Sequence, residues 1–286
     1  MISAAFDYVR PATLDDALGL LAKYGEDAKV LAGGHSLIPA MKLRLSQPKI
    51  VVDIGRIGDL RSIGERDGKI AIGALTTHFD TTHFDIESSD LLRRSCPLLP
   101  EVAGKIGDVQ VRNKGTIGGS CVHADPAGDW PAAMLALDAE FEITGPRGSR
   151  TVAANDFFVD MLTSAVESGE ILKLIHVPVT AKTVAYVKFA QKASGFAIAG
   201  VAVVLDKARK GVAVAVTGVA AKAYRAAGAE SSLRGLELSA ATIATAAQKA
   251  ADGVDPLSDI HASAEFRAHL ARVQAKRALE LAASRE

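Results

Sequence analysis

The chain has 286 residues, of which 49% are hydrophobic and 23% are charged, which is enough to bury a sizeable core. Its 33 basic and 33 acidic residues balance, so composition gives no support for a nucleic-acid or anionic-membrane partner. No stretch approaches the roughly 18 uninterrupted apolar residues of a membrane-spanning helix, and the start has no signal-peptide pattern. We therefore expect a globular cytoplasmic protein with no nucleic-acid partner and no integral membrane segment.

The first 56 residues predict a small subdomain in which helices and strands alternate. Residues 13–25 predict a helix, because Thr13 and Asp16 can form a capping box, apolar residues follow at helical spacing, and Gly25 ends the pattern. The elements predicted after it are a strand at 28–31, a helix at 37–45 and a strand at 50–54. A glycine turn joins the first of these strands to the short helix.

Residues 57–178 predict a second α+β subdomain, which completes a domain of residues 1–178. Strands are expected at 69–74, 140–144 and 171–178, and a helix is expected at 97–106. The polar run from 76 to 90, which contains His78 and His83, is expected to be exposed. Glycine and proline are so frequent in residues 121–131 that we expect a structured loop there.

Residues 179–286 predict a separate C-terminal domain in which strands precede helices. A three-stranded antiparallel sheet is expected from strands at 183–189, 197–205 and 212–219. Alanine-rich helices are expected near 225–234, 239–252 and 263–284. This change from mixed elements to strands followed by helices is the reason for placing a domain boundary near residue 178.

Two short segments pair adjacent glycines with hydroxyl side chains. They read Ala32-Gly33-Gly34-His35-Ser36 and Thr116-Ile117-Gly118-Gly119-Ser120. Because glycine has no Cβ, main-chain N–H groups in such turns can converge on a phosphate oxygen, and Ser or Thr adds a further donor. Either segment alone could be a tight turn without a ligand. Two of them in one chain favour a diphosphate that is held from two sides.

Neither segment has the spacing of a Rossmann G-x-G-x-x-G fingerprint, and the chain has no G-x-x-x-x-G-K-[ST] loop. A nicotinamide dehydrogenase and a P-loop NTPase therefore lack their main sequence support. Cys121, His123 and Asp125 lie close together but do not match the spacing of a metal site, so no metal is expected on this chain.

Longer stretches around the glycine segments resemble the FAD-binding medium chains of molybdenum hydroxylases of the carbon monoxide dehydrogenase and xanthine dehydrogenase type. The resemblance spans the whole chain and is most specific at 32–44, 108–119, His123-Ala124-Asp125-Pro126 and Asp129. It implies an α+β fold of the PCMH or vanillyl-alcohol-oxidase type, with FAD between two α+β subdomains, followed by a C-terminal CO dehydrogenase flavoprotein-type domain. FAD is expected to be noncovalent, because no His or Cys stands in a recognisable flavin-linking motif.

The same resemblance implies roles for individual residues. Residues 32–36 and 116–120 are expected to surround the diphosphate and neighbouring parts of FAD, and Asp129 is expected to contact the ribose or adenosine. Ile106, Leu172 and Lys188 fall where related chains touch the adenine or the isoalloxazine ring. Close carbon monoxide dehydrogenase chains tend to have Asp at the position of Ser120, and many have an acidic residue near Gly195. The resemblance therefore identifies the cofactor far better than the substrate and does not single out carbon monoxide.

The cysteine count limits what this chain can do alone. Each [2Fe–2S] cluster is normally held by four cysteine thiolates, and the chain has two cysteines in all. The resemblance therefore implies that the clusters and the molybdopterin lie on partner chains, a small iron–sulfur subunit and a large molybdopterin-binding subunit, in a dimer of heterotrimers. The expected function is electron transfer from the clusters through FAD to an external acceptor, with no catalytic base on this chain.

Two alternatives stay open at this point. A stand-alone FAD-dependent oxidase of the same superfamily would need its own substrate pocket and usually a longer substrate domain. A non-catalytic assembly protein would use the glycine segments only to shape the chain, and bound flavin would distinguish it from both other readings.

Overall fold

The computed structural model describes residues 2–80, 85–180, 183–206 and 211–285. Its first part is a small parallel sheet with one helix on its inner face. The elements are β1 (Asp7–Val9), α1 (Leu14–Tyr24), β2 (Ala28–Leu31), α2 (Leu37–Lys42) and β3 (Ile50–Asp53), with the sheet order β1-β3-β2. The Thr13 hydroxyl caps α1 by accepting the Asp16 N–H at 3.1 Å, and Ala17 and Leu21 of α1 bury against Val52.

The second part is an antiparallel five-stranded sheet covered by short helices. Its strands are β4 (Ile63–Arg66), β5 (Lys69–Gly73), β6 (Glu140–Gly145), β7 (Gly148–Ala153) and, after the hairpin of β8 (Phe158–Asp160) and β9 (Thr163–Ser164), β10 (Ile171–Pro178). The sheet order is β4-β5-β10-β6-β7. The helices are α3 (Asp90–Ser95), α4 (Leu98–Ala103), α5 (Val109–Lys114), α6 (Ile117–His123), α7 (Trp130–Ala136) and α8 (Ala154–Phe157).

The third part is an antiparallel sheet followed by three helices. Its elements are β11 (Val184–Ala190), β12 (Ala197–Asp206), β13 (Gly211–Thr217), β14 (Tyr224–Arg225), α9 (Ala227–Leu233), α10 (Ala240–Gln248) and α11 (Ala264–Ala283). The three strands expected here are present, and the two-residue strand β14 adds a fourth to the edge of the sheet, beside β13. A strand this short has no periodicity that a sequence pattern could reveal.

Three hydrophobic clusters hold these parts together. The largest contains Trp130, Phe141 and Phe157 and extends to Tyr186 of β11, so the third sheet packs one face against α4 and α7. The other face of the third sheet packs against α11. Because both faces of this sheet are covered, its central strand β12 is almost continuously apolar rather than alternating.

The expectation of a structured loop over residues 121–131 is confirmed for residues 124–129 and was wrong at both ends. Residues 121–123 are the end of α6, which already begins at Ile117, and Trp130 begins α7 with Pro131 in its first turn. Proline fits there because the first helical N–H groups lack an intrahelical acceptor in any case. Gly118 fits inside α6 because the helix packs closely on Ala74, the residue that follows β5. A methyl group at Gly118 would lie 2.5 Å from the Ala74 Cβ.

Sequence patterns also missed β1, β4, β7 and the β8–β9 hairpin, which are short or largely exposed. Among the described residues, no helix is both long enough and apolar enough to cross a membrane.

Candidate cofactor site

The fold brings the two glycine segments into contact. A methyl group at Gly33 would lie 1.9 Å from the Lys114 carbonyl oxygen, and one at Gly119 would lie 3.8 Å from the Ala32 Cβ. Segment 32–36 leaves the carboxyl end of β2, and segment 116–120 starts α6. The first segment therefore lies at the carboxyl edge of a parallel sheet, which is where ligands of α/β sheets commonly bind.

The first segment offers a row of free hydrogen-bond donors. In the part of the chain that the structure describes, the main-chain N–H groups of residues 33–37 have no acceptor, whereas the next one, Ile38 N–H, donates to Gly34 O at 3.1 Å. Gly34 has φ 78°, a left-handed conformation that favours glycine. Successive N–H groups around such a residue form a concave anion-binding surface. Segment 32–36 can therefore hold a phosphate.

The second segment is built differently, because its N–H groups are used by the protein. The bonds are Ile117 N–H to Thr76 O at 3.0 Å, Gly118 N–H to Ala74 O at 2.9 Å, Gly119 N–H to Thr116 Oγ1 at 3.1 Å and Ser120 N–H to Thr116 O at 3.0 Å. The hydroxyl of the half-buried Ser120 makes no hydrogen bond within the described residues. Segment 116–120 is thus a rigid wall beside the free donors, with Ser120 as its available side chain.

A polar cluster that the sequence did not reveal lies at the same sheet edge. Asp53, the last residue of β3, accepts hydrogen bonds from Tyr8 OH, from Arg10 Nε at 3.0 Å and from Gly55 N–H at 2.8 Å. Burial alone would raise the pKa of Asp53, but the hydrogen bonds from Tyr8, Gly55 and Arg10 outweigh it, and the pKa is lowered. The charged Asp53 carboxylate therefore holds Arg10 at the carboxyl edge of the parallel sheet. Segment 32–36 leaves β2 at the same edge.

Asp129 and Lys188 form a buried ion pair between α7 and β11. Lys188 Nζ lies 2.9 Å from Asp129 Oδ1 and also donates to Lys105 O at 2.6 Å and to Gly195 O at 2.7 Å. The Tyr186 hydroxyl donates to the same carboxylate. Burial raises the pKa of Asp129, and Lys188 opposes that rise. All three ammonium donors are engaged by the protein, so Lys188 fastens the loop at Gly195 to the end of α4.

Ile106 and Leu172 are less directly connected to the glycine segments. Ile106 is half-buried in the loop after α4, and Arg112 Nη1 donates to its carbonyl oxygen at 3.1 Å. The neighbouring Gly107 touches Gly195, where a methyl group would lie 3.0 Å from the Gly107 Cα. Leu172 lies on β10 opposite Ile143, with 4% of its surface exposed. The structure thus joins Ile106, Asp129 and Lys188 in one neighbourhood and keeps Leu172 in the core.

The expectation that His78 is exposed was wrong, and His83 lies outside the described residues. His78 is 3% exposed, and its Nδ1 accepts the Trp130 Nε1–H at 3.2 Å. Burial, together with the nearby Arg112 and His35, lowers the pKa of His78 to about 3. Trp130 is 52 residues away in sequence, so no local pattern could predict this burial. His35, by contrast, is exposed at the glycine turn.

Cys121, His123 and Asp125 do not form a compact reactive group. Cys121 is a free, fully buried thiol whose pKa is raised by burial, and His123 Nε2 lies 3.8 Å from Asp125 Oδ2. Among the described residues, no cluster of three or more metal-ligating side chains occurs.

Comparisons with known proteins assign this architecture to a family. Residues 4–180 match the family model described as the FAD binding domain in molybdopterin dehydrogenase, and residues 184–282 match the CO dehydrogenase flavoprotein C-terminal domain. The chain belongs to the FAD-binding medium subunits of molybdenum hydroxylases. It is therefore a subunit of an oxidoreductase, and the resemblance and the α+β fold class expected from the sequence are confirmed.

Relatives of this medium subunit act on different substrates. The chain is 40% identical to the carbon monoxide dehydrogenase medium chain of Hydrogenophaga pseudoflava, covering 100% of this chain and 99% of that one. A solved structure of that enzyme, lacking the Mo-pyranopterin moiety of its molybdenum cofactor, superposes with a TM-score of 0.94 at 100% and 99% coverage. Quinoline 2-oxidoreductase from Pseudomonas putida 86 superposes with a TM-score of 0.92 at 32% identity, covering 99% of both chains.

Proposed function

We propose that this medium subunit carries noncovalent FAD and passes electrons from [2Fe–2S] clusters on a partner chain to an external acceptor. The observation that carries the proposal is the row of N–H donors at residues 33–37, which lack protein acceptors in the described chain. A diphosphate supplies the acceptor oxygens that this row requires. Gly33 lets the Lys114 backbone pack against the row, and Gly34 gives the row its left-handed turn. The donor row therefore fits the diphosphate of FAD.

The site residues fall into groups with different roles in FAD binding. Ala32 to Ser36 bind the diphosphate, and Thr116 to Ser120 form the wall beside it, with the Ser120 hydroxyl as a further donor. Asp129 and Lys188 orient the neighbouring loops through their ion pair, next to Ile106. The ring contact that the resemblance implies for Leu172 stays a prediction, because this side chain is buried in the core. When bound, FAD supplies the redox chemistry by taking up and releasing electrons, while this chain binds and orients it.

We place the partners and boundaries as follows. The molybdopterin and the clusters lie on a large and a small partner subunit, in a dimer of heterotrimers, since Cys96 and Cys121 are both buried and cannot hold a cluster.

The FAD-binding domain spans residues 1–178, with subdomains divided near residue 56, and the C-terminal domain spans 179–286. Two free cysteines are consistent with a reducing cytoplasm.

The direct experiment is purification of the tagged chain from its native host under mild conditions. We expect stoichiometric flavin that acid precipitation releases as FAD, together with co-purifying iron and molybdenum on two other chains. Flavin retained in the precipitate would contradict noncovalent binding. A colourless protein would favour the assembly role, and a yellow protein without partners would favour the stand-alone oxidase.

A further inference from the structure

A buried carboxylate stands beside the row of free donors at residues 33–37. Asp53 ends the central strand β3 and is the register partner of Leu31, the residue just before segment 32–36. A methyl group at Gly55 would lie 3.0 Å from Asp53 Oδ1 and 3.8 Å from Ala32 O. The carboxylate is therefore closer to Ala32 than the Debye length of about 8 Å at physiological ionic strength. A negative charge at this distance opposes the binding of a diphosphate to the row.

The hydrogen bonds of Asp53 shape the turn next to the row. Asp53 Oδ1 accepts the Gly55 N–H at 2.8 Å, and the Ile54 N–H donates to Leu31 O at 3.0 Å. These bonds hold the turn after β3 against the end of β2. An asparagine could make the same bond to Gly55, because its amide oxygen is also an acceptor. The charge of Asp53 can thus be tested separately from its role in the turn.

Arg10 supplies the positive charge that balances Asp53. It follows β1, the strand on the other side of β3, and its Nε lies 3.0 Å from Asp53 Oδ2. The Tyr8 hydroxyl also donates to this carboxylate, but a neutral donor does not cancel its charge. The Arg10 side chain is 39% exposed, and ion pairs this exposed add little to stability. The main effect of Arg10 is therefore on the charge at the edge of the sheet.

We propose that Arg10 is a positioning residue of the FAD site, which acts through Asp53: by neutralising that carboxylate, it lets a diphosphate occupy the donor row at residues 33–37. The inference rests on the proposed function, because it needs the FAD diphosphate on this row. It gives the exposed cation a role in cofactor binding that does not require direct contact with FAD.

Four variants separate charge neutralisation from direct contact and from packing. Arg10→Gln removes the positive charge, whereas Arg10→Lys keeps it. Asp53→Asn removes the negative charge and keeps an acceptor for Gly55. The double variant carries Arg10→Gln and Asp53→Asn together. The complex purified from the native host is stripped of FAD, and FAD affinity is measured by flavin fluorescence quenching at low and at high salt.

We expect Arg10→Gln to bind FAD about threefold to thirtyfold more weakly at low salt, because an unbalanced charge then lies beside the diphosphate. Arg10→Lys should stay close to the wild type. The loss relative to the wild type should shrink in about 1 M salt, where the Debye length falls to about 3 Å. In the Asp53→Asn background, Arg10→Gln should have little effect. All stripped variants should unfold at temperatures near that of the wild type.

Equal FAD affinity of Arg10→Gln and the wild type at low salt would overturn the role of Arg10. The same weakening with and without Asp53→Asn would also overturn it, since Arg10 would then not act through Asp53. A wild type that takes up no FAD would instead overturn the proposed function.

Discussion

At the scale of single residues, the contact between the glycine segments depends on the absence of one side chain. The main-chain carbonyl of Lys114 occupies the space that a Cβ of Gly33 would need, at 1.9 Å. We expect Gly33→Ala to separate the segments, to destabilise the protein by about 1–3 kcal/mol as overpacking does, and to lower its FAD content. FAD content and thermal unfolding are the measurements.

Gly64→Ala is the matched control, since a methyl group at Gly64 meets no atom within 4 Å. It should leave both FAD content and stability close to the wild type. Normal FAD content in Gly33→Ala would contradict the described contact.

The buried pair of Asp129 and Lys188 gives a second prediction at this scale. Their side chains are 5% and 6% exposed, so removing one partner leaves an uncompensated buried charge. We expect Lys188→Met to lower the free energy of unfolding by about 3–5 kcal/mol in chemical denaturation. The double variant with Asp129→Asn should recover part of the loss, and Lys192→Met, at an exposed position, should change little. A Lys188→Met protein as stable as the wild type would contradict this account.

At the scale of elements, sequence patterns located what local periodicity controls. The strands at 28–31 and 171–178 and the helix at 13–25 lie where expected. Patterns failed at α6 and α7, where breakers are used inside helices: Gly118 permits close packing on Ala74, and Pro131 fills a first turn. The position of His78 could not be found from local sequence either, because its burial depends on Trp130.

The start of α11 carries a pH-sensitive contact. Arg267, 4% exposed, donates to Ile198 O, to Gly218 O and to Asp259 Oδ2, the last at 2.6 Å. The hydrogen bond from Arg267, supported by two main-chain N–H groups, lowers the pKa of Asp259 from 3.8 to about 2. The contact therefore stabilises the fold above pH 4 and is lost as the pH falls through about 2.

Asp259→Asn should consequently lower the unfolding temperature at pH 7 and flatten its dependence on pH between 4 and 2. Thermal unfolding of the wild type and the variant across this range is the measurement. Asp255→Asn, a nearby exposed aspartate, should keep the wild-type slope. An unchanged slope in Asp259→Asn would show that this ion pair does not set acid stability.

At the scale of the whole molecule, we propose that different chains bind the substrate, the clusters and the flavin. This medium subunit holds FAD, and its free donors at residues 33–37 favour a bound anion. A negative charge placed there should repel the diphosphate without disturbing the fold. Ser36 is exposed in this row, so Ser36→Glu introduces that charge, and Ser36→Gln is a control of the same size without it.

The complex carrying Ser36→Glu, purified from the native host, tests this division most directly. Its substrate is whichever of carbon monoxide, an aldehyde or an N-heterocycle the wild-type complex oxidises. We expect the substrate to reduce the iron–sulfur clusters at the wild-type rate, followed spectroscopically, while electron delivery to the external acceptor is lost together with FAD. Ser36→Gln should retain both. Acceptor reduction at the wild-type rate in a complex depleted of FAD would contradict the account.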